Sequence, residues 1–304
     1  MPATKTRKSK PKYEARPAFE PPKLMALLQG AVEKPGTLSS DYHLGHEYST
    51  LNKMLIRYQC LLKGIEYGII GTAKWWKERN RWVSSGKGSA MSMAMPYVFQ
   101  PDDPKTGEPK VDKDGNPVLI RRYRYPYKWF VYSQTTGEDL PPLELPDFDF
   151  AQALAELDIE VEEFQMGTAN VAGYANAERK VAVNPISTHH TQTLLHEMAH
   201  LVLGHLTKDD PDIIDLSDSM PRTLKEFEAE ATAYLIHATL GADDKTLSDS
   251  RGYIQHFYNG GELVCDESGN EVEVKVADDW TVHRIFKAVD TIMKAGRIDK
   301  EDAS

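Results

Sequence analysis

Two histidines and a glutamate in the C-terminal half of the chain have the spacing of a metal site. His196 and His200 are four positions apart, and Glu197 directly follows the first of them. On a helix, side chains four residues apart share a face, so both imidazoles can point at one ion. Zinc in such a site keeps one coordination position open and lowers the pKa of bound water towards about 7. The pattern therefore predicts a zinc site in which Glu197 is the catalytic base.

Coincidence is a weak explanation for this motif. The chain has 10 histidines in 304 residues, which gives roughly 0.3 accidental pairs at this spacing and fewer than about 0.05 with a glutamate in the required place. Apolar residues flank the motif, so its helix is predicted to be buried. The alternative is a buried helix with two incidental histidines, and the combination with Glu197 favours the metal site.

The third protein ligand is expected from a second helix. Glu226 and Glu230 are four residues apart and share a face, while Glu228 lies well round the helix. One carboxylate can bind zinc while the other holds a ligand histidine. We favour Glu226 as the ligand and Glu230 as the supporting group; the reverse assignment and an interpretation with three solvated glutamates stay open. His205 is a further candidate, but it follows Gly204 so closely that we expect it to point away from the ion.

Helices with defined ends are predicted to position these residues. The motif helix is expected over about 188–203 and the glutamate helix over about 221–240, because Gly204 and Gly241 are suitable stops. Further helices are predicted over 50–62, over 150–157, from about 247, and over 279–295. Strands are predicted over 90–99, 117–127, 129–133, 170–175 and 180–183, with an exposed hairpin or loop over 101–117. The sequence thus predicts an α+β fold.

Charge divides the chain into two parts. Residues 1–135 contain 23 Lys and Arg against 12 Asp and Glu, a net charge of +11, and the remainder has a net charge of −21. Prolines at 141, 142 and 146 mark a linker near this change of sign. We therefore predict a disordered basic tail over 1–20, a basic α+β DNA-binding domain over 21–145 and a zincin-like metallopeptidase domain over 146–304.

Two clusters in the basic part interleave cations with aromatic rings, over residues 74–82 and 121–129. Single-stranded DNA is held by phosphate contacts and by bases stacked on aromatic faces. In a strand, Arg122 and Arg124 face one way while Arg121, Tyr123 and Tyr125 face the other, so we expect one basic and one aromatic face. The alternative is that the tryptophans and tyrosines are core residues. The predicted DNA-binding residues are Lys74, Trp75, Lys77, Arg79, Arg81, Lys87, Arg122, Arg124 and Tyr125.

Composition also bears on location. The sequence has no run of 18 or more apolar residues, so no membrane span or membrane partner is expected. No apolar stretch follows the first charged residues, as a secretory signal would require. Only two cysteines occur, Cys60 and Cys265, and they lie far apart. These features predict a cytoplasmic protein.

The residues around the metal motif resemble a known family. The stretch 194–200, then Gly204-His205, then Glu226-x-x-Ala229-Glu230, is similar to the C-terminal zincin domain of ArdC-type antirestriction proteins. The same core resembles the ImmA/IrrE-like metallopeptidases and, more distantly, the SprT/Spartan proteases. The N-terminal stretches that resemble the family's single-stranded-DNA-binding domain are Trp75-Trp76, Gly86-Lys87-Gly88, 127–132 and 136–142. The insertion around 101–117 departs from the family.

The resemblance implies a protein of a conjugative plasmid or related mobile element that binds single-stranded DNA and carries a zinc metallopeptidase domain. Its role would be antirestriction or protection of DNA during transfer. A DNA tether would raise the local concentration of protein substrates bound to the same DNA. Two alternatives stay open. One is a non-catalytic DNA-coating protein with a structural metal site, and the other is a regulatory peptidase that cleaves a repressor.

Overall fold

The computed structural model describes residues 17–34, 38, 48–84, 89–140, 147–165, 171–206, 220–258, 263–265, 271–273 and 278–298. Three predictions concern residues outside this set. Residues 1–16 of the predicted tail, Lys87 of the predicted DNA-binding set and residues 141–146 of the predicted linker are not among the described residues.

The first part of the chain combines short helices with small antiparallel sheets. Its helices are α1 (Leu24–Glu33), α2 (Thr50–Lys63) and α3 (Ala73–Lys77). Its strands are β1 (Ile70–Thr72), β2 (Arg81–Val83), β3 (Met91–Ser92), β4 (Met95–Phe99), β5 (Ile120–Arg124), β6 (Tyr127–Val131) and β7 (Thr135–Gly137). The sheet order β1-β6-β3 places β6 in the centre, and β2–β7 and β4–β5 form separate antiparallel pairs.

The second part is mainly helical. Its helices are α4 (Phe150–Glu156), α5 (His190–Val202), α6 (Arg222–Thr239), α7 (Asp244–Tyr258) and α8 (Asp279–Ala295). Its strands are β8 (Asp147–Phe148), β9 (Glu160–Val161), β10 (Gly173–Ala175), β11 (Lys180–Val183), β12 (Leu263–Cys265), β13 (Glu271–Glu273) and β14 (Arg297–Ile298). In the sheet β10-β11-β9, β11 pairs antiparallel with β10 and parallel with β9. No helix in the described part of the chain is long and apolar enough to cross a membrane.

The predicted α+β class and the principal helices are confirmed, with shifts at the ends. Helix α5 begins at His190 rather than near 188, and Gly204 follows it with a φ of 74°. Gly241 follows α6 with a φ of 90°, a left-handed conformation in which a side chain is disfavoured. The segment 101–117 is an exposed extension between β4 and β5, as predicted, with isolated bridges at Asp102–Pro109 and Val111–Pro117.

Burial along α2 does not follow the apolar residues of its sequence. Leu61 and Leu62 are 70% and 67% exposed, whereas Lys53 and Gln59 are buried. Gln59 lies inside because its side-chain amide bonds the carbonyl oxygens of Leu55 and Ser92 and so satisfies its polar atoms. Helical spacing alone cannot show that a side-chain amide is buried because it bonds backbone carbonyl oxygens.

One hydrophobic core extends across both parts of the chain. Leu28 of α1 and Leu55 of α2 belong to the same buried cluster as Ile285 and Ile292 of α8. Polar contacts reinforce this packing: the backbone N and the Oγ1 of Thr50 both donate to Asp290 Oδ1 at 2.7 Å. The Tyr234 hydroxyl of α6 donates to the carbonyl oxygen of Val32. Helix α8 therefore contacts the N-terminal helices as well as α6.

Candidate metal centre

Helix α5 presents the two motif histidines on one face. Their Nε2 atoms are 3.1 Å apart, and the imidazole centroids are separated by 4.8 Å. The remaining sides of the helix are fully buried at Leu195 and Met198, which fixes its rotation. The four-residue spacing and this buried face together bring the two nitrogens to one point.

Helix α6 supplies two carboxylates to the same place. Glu226 Oε2 lies 3.3 Å from His196 Nε2 and 3.6 Å from His200 Nε2. Glu230 Oε2 lies on the other side of the first imidazole, 2.8 Å from His196 Nδ1. The helices can approach closely because small residues, Ala199 of α5 and Ala229 of α6, are buried together between them. His196, His200 and Glu226 form a group that can hold a divalent metal ion.

The electrostatics of this group are those of an anionic site. Burial opposes a charge on His196, but Glu226 and Glu230 prevail and raise its pKa to about 10. Hydrogen bonds from the two histidines hold the pKa of Glu226 well below its usual range. The pKa of Glu230 is also lowered: burial opposes its ionisation, but the hydrogen bond and charge of His196 and the hydrogen bonds of Ser250 and Gln192 together outweigh that effect. Such a site is suited to a cation.

Glu197 lies in the cleft beside these groups. It lines a cavity of about 530 Å³ together with His196, His200, Glu226 and the strand β10. A second cavity of about 700 Å³ shares His196 and both carboxylates and continues towards α7. Burial raises the pKa of Glu197, and the two histidines partly oppose this shift. The group thus combines access to the cleft with a carboxyl that holds its proton more readily than an exposed glutamate.

A buried chain of polar side chains supports His200 from behind. His200 Nδ1 lies 2.9 Å from His205 Nδ1, and His205 Nε2 lies 2.9 Å from Glu228 Oε2. Arg284 of α8 donates from Nε to Glu228 Oε1 at 3.0 Å and from Nη2 to the carbonyl oxygen of Leu203 at 2.6 Å. Glu228 and the His205 side chain are completely buried. The interpretation of Glu228 as a solvated residue is therefore wrong.

The hydrogen positions in this row of buried polar side chains can be assigned by elimination. Burial lowers the pKa of His205 to about 4, so its imidazole is neutral at neutral pH and offers one donor and one acceptor. Glu228 accepts, so His205 Nε2 carries the hydrogen and Nδ1 is the acceptor. His200 must then donate from Nδ1, and its Nε2 faces His196 and Glu226. Sequence spacing gives no sign of this network, because Arg284 lies on a distant helix.

The predicted DNA-binding residues fall into two groups of different exposure. Lys74, Lys77 and Arg79 are exposed around α3, and Trp75 is half-buried, with the Arg79 guanidinium 3.7 Å from the centre of its ring. Arg81 does not lie on the exposed surface assumed for it. It is buried, its Nε donates to Thr135 Oγ1, and it also bonds backbone carbonyls of β7 and the residue after it. This arginine holds β2 to β7.

The pairing of β4 with β5 changes the expected distribution of rings and charges. Arg122 and Arg124 are exposed, as predicted, but Tyr97 pairs with Arg122, and the Arg122 guanidinium lies 5.3 Å from the ring centre of Phe99. Directly paired residues share a face, so this face is both basic and aromatic. The predicted separation into a basic and an aromatic face is therefore wrong. Tyr125 is half-buried, with its ring 5.8 Å from that of Phe19.

Comparison with known proteins gives a match in structure and none in sequence. No protein-family model matches the sequence, and comparison with curated proteins finds no significant similarity. The metal-free crystal structure of the antirestriction protein ArdC from plasmid R388 matches with a TM-score of 0.50 and 18% identity over 90% of this chain and 94% of that chain. The Mn(II)-bound structure of that protein gives a TM-score of 0.44 and 15% identity over 90% of this chain and 97% of that chain. The expectation from the motifs is thereby confirmed at the level of the fold: the chain shares the fold of ArdC.

Proposed function

We propose that the chain is a zinc-dependent metallopeptidase in which His196, His200 and Glu226 bind the ion. The observation that carries this proposal is the triangle of their facing atoms, with edges of 3.1, 3.3 and 3.6 Å. Tetrahedral zinc with bonds of about 2.0–2.1 Å requires its ligand atoms to be about 3.3–3.4 Å apart. Two imidazoles and one carboxylate are also a donor set that zinc accepts in catalytic sites.

The remaining polar groups fit a supporting role. A metal-bound histidine is held in place when its second nitrogen has a hydrogen-bond partner. Glu230 has that position towards His196, and His205 has it towards His200. Both ligand histidines then direct their Nε2 atoms towards the proposed position of the ion.

Glu197 is proposed as the catalytic base. A bound zinc ion would polarise the scissile carbonyl and make water more acidic. Glu197 would accept one proton as the water oxygen adds to the carbonyl carbon, and would return it to the amide nitrogen as the carbon–nitrogen bond breaks. The raised pKa of this carboxyl suits both the acceptance and the return of the proton.

We further propose that the basic part of the chain binds single-stranded DNA. The face formed by Tyr97, Phe99, Arg122 and Arg124 combines exposed cations with rings on which bases can stack. The exposed cations of α3 would extend this contact. A protein bound to the same DNA would be the substrate, and antirestriction or protection of transferred DNA would be the outcome, by analogy with ArdC.

The test of the peptidase proposal compares wild type with Glu197→Gln. This change keeps the size of the side chain and removes the base. We expect the variant to retain its metal and its affinity for single-stranded DNA but to lose cleavage, of itself or of a DNA-bound protein, by at least about a hundredfold. Equal cleavage by the two proteins would overturn the catalytic role. Protection of DNA by a variant that cleaves nothing would favour the DNA-coating alternative.

The DNA-binding proposal is tested with Arg122→Ala/Arg124→Ala. Each lost phosphate contact to a single strand lowers the slope of log affinity against log salt by about 0.7, so we expect the slope to fall by about 1.4. The matched control is Lys245→Ala/Lys294→Ala, which removes two exposed charges outside this face. An unchanged slope in the first variant, or the same loss in the control, would contradict the assignment.

A further inference from the structure

A cavity of about 430 Å³ lies beside α8, at the end of the metal-site helix and apart from the three proposed metal ligands. We call it the α8 cavity. It is lined by the C-terminal end of α5, by the residue before β11, and by several side chains of α8. Its polar and aromatic lining residues are Arg179, Trp280, His283, Arg284, Lys287 and Thr291.

The α8 cavity is basic within an otherwise acidic part of the chain. The Lys287 side chain is exposed and makes no ion pair or hydrogen bond with the described residues. Arg179 bonds the carbonyl oxygens of Leu157 and Asp158, and its Nη1 is buried with no acceptor among the described residues. Of the basic lining residues, Arg284 is the one neutralised by a buried carboxylate, Glu228.

The pKa of His283 is lowered by burial and by neighbouring positive charges. Burial lowers its pKa, and the charges of Lys287 and Arg121 lower it further, while Asp290 opposes them. A site whose cations depress the ionisation of a neighbouring imidazole attracts an anion.

Trp280 adds an aromatic surface to the cations. The side chain is 48% exposed, although it is among the largest apolar groups of the chain. The Arg284 guanidinium lies 4.9 Å from the centre of its ring, which restrains the indole by a cation–π contact. An exposed ring held in place near the exposed Lys287 matches the requirements of a nucleotide, because a base can stack while its phosphate is bound.

The α8 cavity adjoins the strands proposed to bind DNA. The ring of Tyr123, on β5, lies 6.1 Å from that of His283. Arg121, on the same side of β5, is close enough to act on the charge of His283. Cations and rings therefore continue to α8 from the face of β5 opposite to that of Arg122 and Arg124.

We propose that the α8 cavity binds a nucleotide of single-stranded DNA, with its phosphate at Lys287 and its base on Trp280. This inference rests on the proposed function, because it adds a contact for the same single strand on the other face of the β4–β5 pair. Duplex DNA does not satisfy it, since paired bases are not available for stacking.

The experiment titrates the full-length protein with an oligothymidylate of about 20 nucleotides at several salt concentrations. Trp280→Ala is expected to weaken binding roughly 5- to 100-fold, and Trp280→Phe to restore most of the affinity because it retains a ring. Lys287→Ala is expected to lower the salt slope by about 0.7. The control is Lys245→Ala, which removes one exposed charge from α7. Zinc content and thermal unfolding of each variant establish that the fold is intact.

The outcomes separate this inference from the proposed function. If Trp280→Ala and Lys287→Ala bind like wild type while Arg122→Ala/Arg124→Ala is weakened, the α8 cavity is not a nucleotide site and the proposed DNA-binding face stands. If Lys245→Ala is weakened as much as Lys287→Ala, the effect is one of general charge and the inference is overturned. If wild type does not bind the oligonucleotide, the DNA-binding proposal fails and this inference fails with it.

Discussion

Replacement of Glu228 by glutamine tests whether the buried network supports the metal centre. Glu228 is completely buried and accepts from His205 on one side and from Arg284 on the other. Glutamine has nearly the same shape but carries an amide group and no charge. One of the two donors then faces an NH₂ group, and the arginine loses its counter-charge in a largely buried position.

The size of the effect follows from the burial of the pair. Loss of one partner of a buried ion pair costs about 3–5 kcal/mol of stability. Arg284 keeps its hydrogen bond to the carbonyl oxygen of Leu203, so we expect the free energy of unfolding to fall by about 3 kcal/mol. Because Glu228 fixes His205, which in turn fixes His200, we also expect zinc affinity to fall by about 10- to 100-fold, as for other changes behind a metal ligand.

Two assays separate these effects. Urea unfolding in the presence of a chelator measures the stability loss without metal, and a zinc titration of the folded protein measures affinity. The matched control is Glu156→Gln, an exposed glutamate at the end of α4, which should change stability by less than about 0.5 kcal/mol. If Glu228→Gln behaves like this control in both assays, the reasoning on the network is refuted.

Three further predictions concern other parts of the fold. In Gly173→Ala, the added carbon would lie 2.6 Å from Thr193 Cγ2, so β10 must move away from α5. We expect the free energy of unfolding in urea to fall by about 1–3 kcal/mol, and an unchanged unfolding midpoint would contradict this. Burial raises the pKa of Asp290 in the folded state, so the protonated carboxyl group favours the folded state at low pH. This contribution to the free energy of unfolding is lost as pH rises from about 4 through the raised pKa. Wild type should therefore lose unfolding free energy relative to Asp290→Asn as pH rises through this range. Parallel pH profiles of the two proteins would count against the raised pKa. Arg81→Ala should lower the free energy of unfolding by more than about 1 kcal/mol through loss of its buried hydrogen bonds. An unchanged unfolding midpoint would contradict the buried structural role of this arginine.

The candidate site could be predicted where its geometry is local. The spacing of His196 and His200, and that of Glu226 and Glu230, defines neighbours on a helix whatever the rest of the chain does. The network behind the site could not be predicted, because Arg284 reaches Glu228 only through the packing of α8 on α6. Helical periodicity says which residues share a face but not which distant helix covers it.

The surface proposed to bind DNA is harder to predict from the sequence for a related reason. The alternation of side chains along β5 was correctly described, but the partner strand and its register were unknown. Pairing with β4 brings Tyr97 opposite Arg122 and so mixes rings with cations. The burial of Arg81 likewise depends on the pairing of β2 with β7, more than 50 residues away.

The most direct test of the central claim is the zinc content of the full-length protein and its ligand variants, measured by elemental analysis after dialysis. We predict one zinc per chain in wild type, little in His196→Ala/His200→Ala and a strong loss in Glu226→Gln. A smaller loss is expected in Glu230→Gln, because this residue contacts the far nitrogen of His196 and not the nitrogen that faces the proposed ion. Glu197→Gln should retain the ion. Full zinc occupancy in the double histidine variant, or a greater loss in Glu230→Gln than in Glu226→Gln, would contradict the proposed centre.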